Sequence, residues 1–209
     1  MTSEMQSARD DLAFLRGLVG ESGESVQTRA LGEGYCAGGF IYGGQMLLHA
    51  GQGMGLLPQS GLGALAIGLG PSIVFIPIIT WIVARNRGSE GNAGLVARAI
   101  GRMFGIVGLA NLALIAIIGT VAWRHKSLDI WLIYPCVVFV LQGMAWQFAW
   151  MMRRRAWHGL VALGWYAAAL AMGLTISTPA WYILFAGLGL WLCMALPGYM
   201  MVRGRRANG

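Results

Sequence analysis

The chain has 209 residues, 57% of them hydrophobic and only 11% charged. Its formal net charge is +7 and its mean hydropathy +0.63. Soluble domains carry about a quarter charged residues, so this composition excludes an ordinary water-soluble globule and places the chain in the membrane class. The positive balance does not point to nucleic acid, because nearly every arginine lies at the end of an apolar segment, where topology and lipid head groups account for it.

The first stretch, MTSEMQSARDDLAFLRGL, carries charges of both signs and no uninterrupted apolar core, so it does not read as a cleaved leader. Residues 3–19 read instead as an amphipathic helix. Ser3 and Gln6 have capping-box spacing, and Met5, Ala8, Leu12, Leu15 and Val19 make one apolar stripe. Its polar face, with Arg9, Asp10, Asp11 and Arg16, is mixed in sign, which suits docking on protein better than on anionic lipid. Glu21 to Glu33, rich in Gly, Ser and Glu, reads as a flexible linker.

Six segments then approach the roughly 20 apolar residues a spanning helix needs: 34–52, 62–84, 100–122, 130–151, 157–177 and 180–202. The expected fold is all-α: a bundle of six transmembrane helices with an N-terminal cytoplasmic amphipathic helix. The expected divisions are 1–32 (helix and linker), 33–202 (membrane domain) and 203–209 (basic tail).

The first span raises the main functional question. At a hundred degrees per residue, Tyr35, Gly38, Tyr42, Gln45, His49 and Gln52 fall within a third of its circumference. Lipid cannot satisfy such groups, so the stripe must face other helices or a wet cavity, as a ligand lining or as a helix contact. Gly34/Gly38 and Gly39/Gly43 have small-xxx-small spacing, and Gly101, Gly105 and Gly108 give the third span a similar close-packing surface. Pro71 and Pro77 in the second span, Pro135 in the fourth and Pro197 in the sixth are expected to kink their helices. Trp165 and Tyr166 need polar partners near mid-membrane, and Gln45 or Gln142 could supply them.

Charges between the spans set the orientation. Arg85, Arg87, Arg98 and Arg102 flank the second link, Arg153, Arg154 and Arg155 form the fourth, and Arg203, Arg205 and Arg206 close the chain. The first and fifth links carry no charge, and only Arg124, Lys126 and Asp129 lie on the other side. The positive-inside rule then puts both termini in the cytoplasm, in a bacterial inner membrane. Trp123, Trp131, Tyr134, Trp181 and Tyr182 at one boundary and Trp81, Trp150, Trp157 and Tyr199 at the other form the expected aromatic belts.

Chemistry is sparse. Cys36, Cys136 and Cys193 are far apart in sequence and read as small buried hydrophobes, with no disulfide framework and no metal site. No phosphate-binding loop, HExxH, nucleophile elbow or carboxylate pair occurs, so no enzyme and no cofactor are expected. None of the 8 acidic residues lies deep in a span, which argues against a proton-driven pump. Weak matches between the two halves, such as Tyr35/Tyr134 and Gly44/Gly143, leave an inverted repeat open, although apolar helices match readily by chance.

The reading that results is a non-enzymatic sensor, regulatory or assembly component of the membrane, contacting a cytosolic or membrane protein through residues 3–19. Its surroundings are the lipid bilayer, nucleic acid is not a partner, and a homo-oligomer is compatible with the glycine faces. The alternative is a carrier or channel for a small neutral or weakly polar solute. A distant third is a haem- or metal-binding redox protein using His49, with His125 on the same side of the membrane.

Overall fold

The computed structural model describes residues 6, 21–57, 61–87 and 95–203. The helix expected over 3–19, and Arg205 and Arg206 of the tail, lie outside the described residues. Within them every regular element is helical: α1 Glu21–Gly53, α2 Gly61–Asn86, α3 Leu95–His125, α4 Leu128–Arg153, α5 Ala156–Leu174, α6 Pro179–Leu190 and α7 Leu196–Arg203. A π-helical turn, Trp191–Ala195, joins α6 to α7, so the last three pieces form one long helix.

Five of these helices are long and apolar enough to cross a membrane: Ala66–Asn86, Leu95–His125, Leu128–Arg153, Ala156–Leu174 and Pro179–Arg203. The chain is therefore read as an integral membrane protein. Helix α1, expected as the first of six spans, is not among the five. Its polar stripe, its glycines and the charged residues of its first third dilute the hydropathy that marks the others.

Residues 21–33 are not the flexible linker that their Gly/Ser/Glu composition suggests; they are the first third of α1. Tertiary packing overrides the local preference here. Arg29 and Glu33 pair at i,i+4, 2.9 Å apart. Glu33 also holds Arg85 of α2, whose guanidinium lies 4.3 Å from the centre of the Trp81 ring. Arg153 of α4 donates to Thr28 Oγ1 at 3.1 Å, and Leu31 packs on the core.

The connections are tight and their chemistry is local. Ser127 caps α4, its hydroxyl accepting from Ile130 N at 3.4 Å, with Asp129 in the first turn where the helix dipole favours an acid. Between α4 and α5, Arg154 takes the left-handed conformation (φ 53°) that closes a helix C-terminus. Thr175 and Thr178 bond back to the carbonyls of the preceding turn, and Pro179 opens α6 as expected for an N-terminal proline.

Helix α1 packs on α2, on α6, on the π-turn and on α7, with lighter contact to α3. The chain then runs back around the bundle through the α6–α5, α5–α4 and α4–α3 pairs. Helix α2 stands outside this ring, with α1 as its main neighbour. The core gathers Tyr35, Phe139, Trp146, Trp165, Met172 and Tyr182, among others, from α1, α4, α5 and α6.

Helix α1 and the last helix approach one another backbone to backbone. A Cβ at Gly39 would collide with the backbone of Ala195, one at Gly198 with the backbone of Cys36, and one at Gly32 would lie 2.8 Å from Met201 Cβ. Gly38 faces Met194 and Phe75, Gly43 faces Trp191, and Gly34 faces Ile79. Gly105 and Gly108 differ from expectation: among the described residues nothing lies within 4 Å of where their Cβ atoms would be, so no described helix packs on them. Their helix turns that side outward, where Ile106, Leu109 and Leu112 are also exposed. Pro71, Pro77 and Pro135 lie inside continuous helices, while Pro197 follows the π-turn, in which Leu196 N–H bonds to Trp191 O. The widened turn relieves the clash a proline ring makes with the carbonyl one turn back.

A cheap comparison tests this packing. Gly39→Ala should destabilise the protein by about 1–3 kcal/mol, since two backbones must separate to admit one methyl group. Gly44→Ala, with nothing within 4 Å of the new Cβ, should be neutral or stabilising by up to about 1 kcal/mol. Thermal unfolding of both variants in a mild detergent measures the difference, and equal melting points would contradict the backbone contact.

Candidate functional site

The polar stripe of α1 is brought against two different neighbours. The Tyr35 hydroxyl donates to Gln142 Oε1 of α4, and the ring is buried edge-on between Phe104 of α3 and Trp146 of α4, with centroids 5.4 and 5.6 Å away. Tyr42 and Gln45 turn to α2. Tyr42 Oη lies 3.5 Å from Ser72 Oγ with its ring edge-on to Phe75, and Gln45 Nε2 donates to the Gly68 carbonyl at 3.1 Å. His49 Nδ1 is 3.2 Å from Gln52 Oε1 within α1 itself, and Gln52 is buried. The arc spans about a third of the helix, which is wide enough to serve two neighbours.

Trp165 and Tyr166 find other surroundings than the two glutamines the sequence offers. Tyr166 Oη donates to Gln147 Oε1 at 2.8 Å, and Trp165 packs edge-on against Phe139 at 4.7 Å, its indole Nε1 without a hydrogen-bond partner among the described residues. Gln45 and Gln142 are occupied by Gly68 and Tyr35. Tyr134 donates to Asn111 across α3 and α4 at 3.1 Å, and Tyr182 to the Leu132 carbonyl at 2.7 Å. All three cysteines are free thiols. His125 is exposed at the end of α3. Among the described residues no group of three or more His, Cys, Asp and Glu side chains is placed to hold a metal ion.

The one-sided charge of the chain has a structural counterpart. The end of α2, the start of α3, the α4–α5 turn and the end of α7 share one end of the bundle, with Arg85, Arg87, Arg98, Arg102, Arg153, Arg154, Arg155 and Arg203. A cavity of about 310 Å³ opens there. Helices α2 and α3 supply apolar walls through Ile79, Ile82, Ile100 and Phe104. Thr28, Asn86, Arg153 and His158 bring the polar groups, and Trp146 and Ala149 line it from α4.

His158 was not singled out by the sequence, where it lies at the start of the fifth expected span, 157–177. In the fold it is 2% exposed. Its ring stacks on Trp157 with centroids 3.9 Å apart and lies 5.7 Å from the Trp146 ring. The Arg155 carbonyl accepts from the His158 backbone N–H at 3.0 Å. Trp146 Nε1 is buried and unbonded among the described residues, although the Tyr35 hydroxyl approaches it. A signal for His158 did exist: His158, Ala162, Trp165, Ala169 and Met172 follow a four-three-four-three spacing, and all five are buried on the inner face of α5.

Neither a family model, a curated protein nor a solved structure matches the chain.

Two substitutions separate hydrogen bonding from packing in this cluster. Tyr35→Phe keeps both ring contacts and removes only the bond to Gln142, so it should cost about 0.5–1 kcal/mol, the usual scale for an interhelical hydrogen bond in a membrane. Trp146→Ala removes a side chain 1% exposed and should cost about 3–5 kcal/mol. Thermal unfolding in detergent reads both.

Proposed function

We propose that this chain is a non-enzymatic membrane component, a sensor or a regulatory or assembly subunit. In this reading α1 is a sixth span and both termini lie in the cytoplasm of a bacterial inner membrane. One observation favours this reading over a carrier or channel. Tyr35, Tyr42, Gln45 and His49, the polar groups that could have lined a path along α1, are engaged by Gln142, Ser72, Gly68 and Gln52. Polar groups spent in this way hold helices together; a conduction path needs them presented to a solute.

The position of α1 supports a sixth span. It packs along α6, the π-turn and α7 for most of their length, and its buried residues include Gly34, Tyr35, Gly38, Gly39, Gly43, Ala50 and Gln52. A helix held between membrane spans over that distance crosses with them. The concentration of arginine at one end supports the orientation. Residues 3–19 would meet the protein partner. The glycine faces that stay uncovered, Gly105 and Gly108, leave room for a second copy or another membrane helix.

Two experiments test this. Reporter fusions before residue 1 and after Arg203 should both report the cytoplasm, and fusions at Leu57 and Ser177 the outside; an N-terminal reporter outside would remove the sixth span. Stopped-flow measurement of glycerol or urea efflux from proteoliposomes should match protein-free vesicles. Faster efflux that Gln45→Leu combined with His49→Leu abolishes would instead establish the solute carrier. Deleting residues 1–20 should abolish cross-linking to the partner in native membranes while the protein still inserts.

A further inference from the structure

Helix α4 turns a stripe of its own outward. Ile133, Val137, Val140, Met144, Gln147 and Met151 recur at alternating four and three, within less than a quarter of the helix circumference. All except Val137 are exposed. Five of the six are side chains that lipid accommodates. Gln147 is not. Trp150 marks the inner end of this span, and Gln147 lies just under one turn inside it. Side chains on a helix tilt toward its N-terminus, here away from the arginine-rich end and into the hydrocarbon.

The neighbouring helix fixes how this amide is presented. The Tyr166 ring lies over Gly143, where a Cβ would meet it at 2.6 Å, and its hydroxyl donates to Gln147 Oε1 at 2.8 Å. The carboxamide oxygen is thereby held toward α5. Nε2 keeps two N–H donors, and they have no hydrogen-bond partner among the described residues. Exposed threonines along the spans behave differently: Thr80 and Thr120 donate to the Ile76 and Ala116 carbonyls one turn back, at 2.7 and 2.6 Å. Hydrocarbon offers Nε2 no acceptor, so an amide left facing it is costly.

A primary amide is complementary to itself, because it carries two donors and an oxygen with two lone pairs. Tyr166 uses one lone pair and leaves the other. A two-fold axis beside Gln147 therefore lets the Nε2 of each copy donate to the Oε1 of the other. The rest of the stripe has the four-three spacing of a coiled-coil seam, in which a single polar residue sets register and strand number. Beside it an apolar groove of about 580 Å³ runs between α4 and α5, lined in part by Val140, Leu170 and Gly173, and supplies holes for side chains from the other copy.

We propose that this face binds a second copy of the chain. The two copies lie parallel in the membrane, α4 meets α4 about a two-fold axis, and their Gln147 amides exchange hydrogen bonds across it. The pairing needs only that α4 crosses the membrane; it does not depend on the regulatory reading or on α1 as a sixth span. It also lies on a different helix from the uncovered Gly105 and Gly108 of α3.

The test is Förster transfer between donor- and acceptor-labelled full-length protein in phosphatidylcholine vesicles, over a series of protein-to-lipid ratios. Transfer should saturate as a monomer–dimer equilibrium. Gln147→Leu should raise the dissociation constant about tenfold, the equivalent of two interhelical hydrogen bonds on the membrane scale. A second measurement does not rely on that variant. Met144→Cys, on the same stripe, should cross-link two copies on mild oxidation above the wild-type background, and Leu109→Cys, beside the glycines of α3, should not. Transfer no greater than random proximity gives, a dissociation constant unmoved by Gln147→Leu, or cross-linking through Leu109→Cys in place of Met144→Cys would each overturn the proposal.

Discussion

Backbone-to-backbone contact between the first helix and the last is the constraint on which the rest of the structure depends. Lipid is as apolar as leucine, so helices in a membrane are not driven together by water; they associate through close packing and a few hydrogen bonds. Gly39 against Ala195 and Gly198 against Cys36 bring the two backbones so close that neither glycine leaves room for a Cβ. The π-turn before Pro197 provides the geometry. Its extra residue per turn accommodates the proline and brings Met194 and Ala195 onto the glycine face of α1. A side chain larger than hydrogen at Gly39 or Gly198 would separate the helices and withdraw every contact that α1 makes further along.

That contact determines what the polar residues of α1 can do. With one side of the helix fixed against α6, the π-turn and α7, the polar arc is turned toward the remaining neighbours. Tyr35 then reaches α4 near the arginine-rich end, and Tyr42 and Gln45 reach α2 deeper in the bundle. Helix α2 has α1 as its main neighbour, so the Tyr42–Ser72 and Gln45–Gly68 contacts are much of what positions it. The stripe is therefore less a surface than two sets of joints. It also explains how α1 can sit in the bundle with a composition too polar to mark it as a span by hydropathy.

Much of this was legible in the sequence, and the rest was lost for identifiable reasons. Apolar run length placed the five membrane-length helices, and helical spacing put Tyr35, Tyr42, Gln45, His49 and Gln52 on one face, because both are local properties. It could not say that the face is divided between two neighbours, since that depends on where other helices lie. Glycine spacing is equally blind to partners: Gly39 meets a backbone and Gly105 meets nothing, yet both belong to small-residue patterns. Composition misjudged residues 21–33, whose Gly, Ser and Glu suggest a linker, because the contacts that keep them helical come from Arg153, Arg85 and the end of α7. His158 was hidden by its position next to three arginines. Only the buried spacing of Ala162, Trp165, Ala169 and Met172 shows which way it points.

The arrangement of α2 explains why a cavity exists at this end of the bundle. Helices α3, α4, α5 and α6 form successive pairs, each in extensive contact with the next, whereas α2 and α3 are consecutive in sequence without packing closely on one another. Both lean on the ring separately, α2 through α1 and α3 through α4, so the wedge between them stays open at the end where α2 finishes and α3 begins. In a membrane such a wedge would normally be filled by a lipid chain at no cost, and its walls of isoleucine and phenylalanine suit that. The polar groups on the opposite side are tied into the protein instead: Asn86 donates to the Ile82 carbonyl at 2.7 Å and Arg153 to Thr28 Oγ1 at 3.1 Å, which spares them the cost of facing hydrocarbon unbonded.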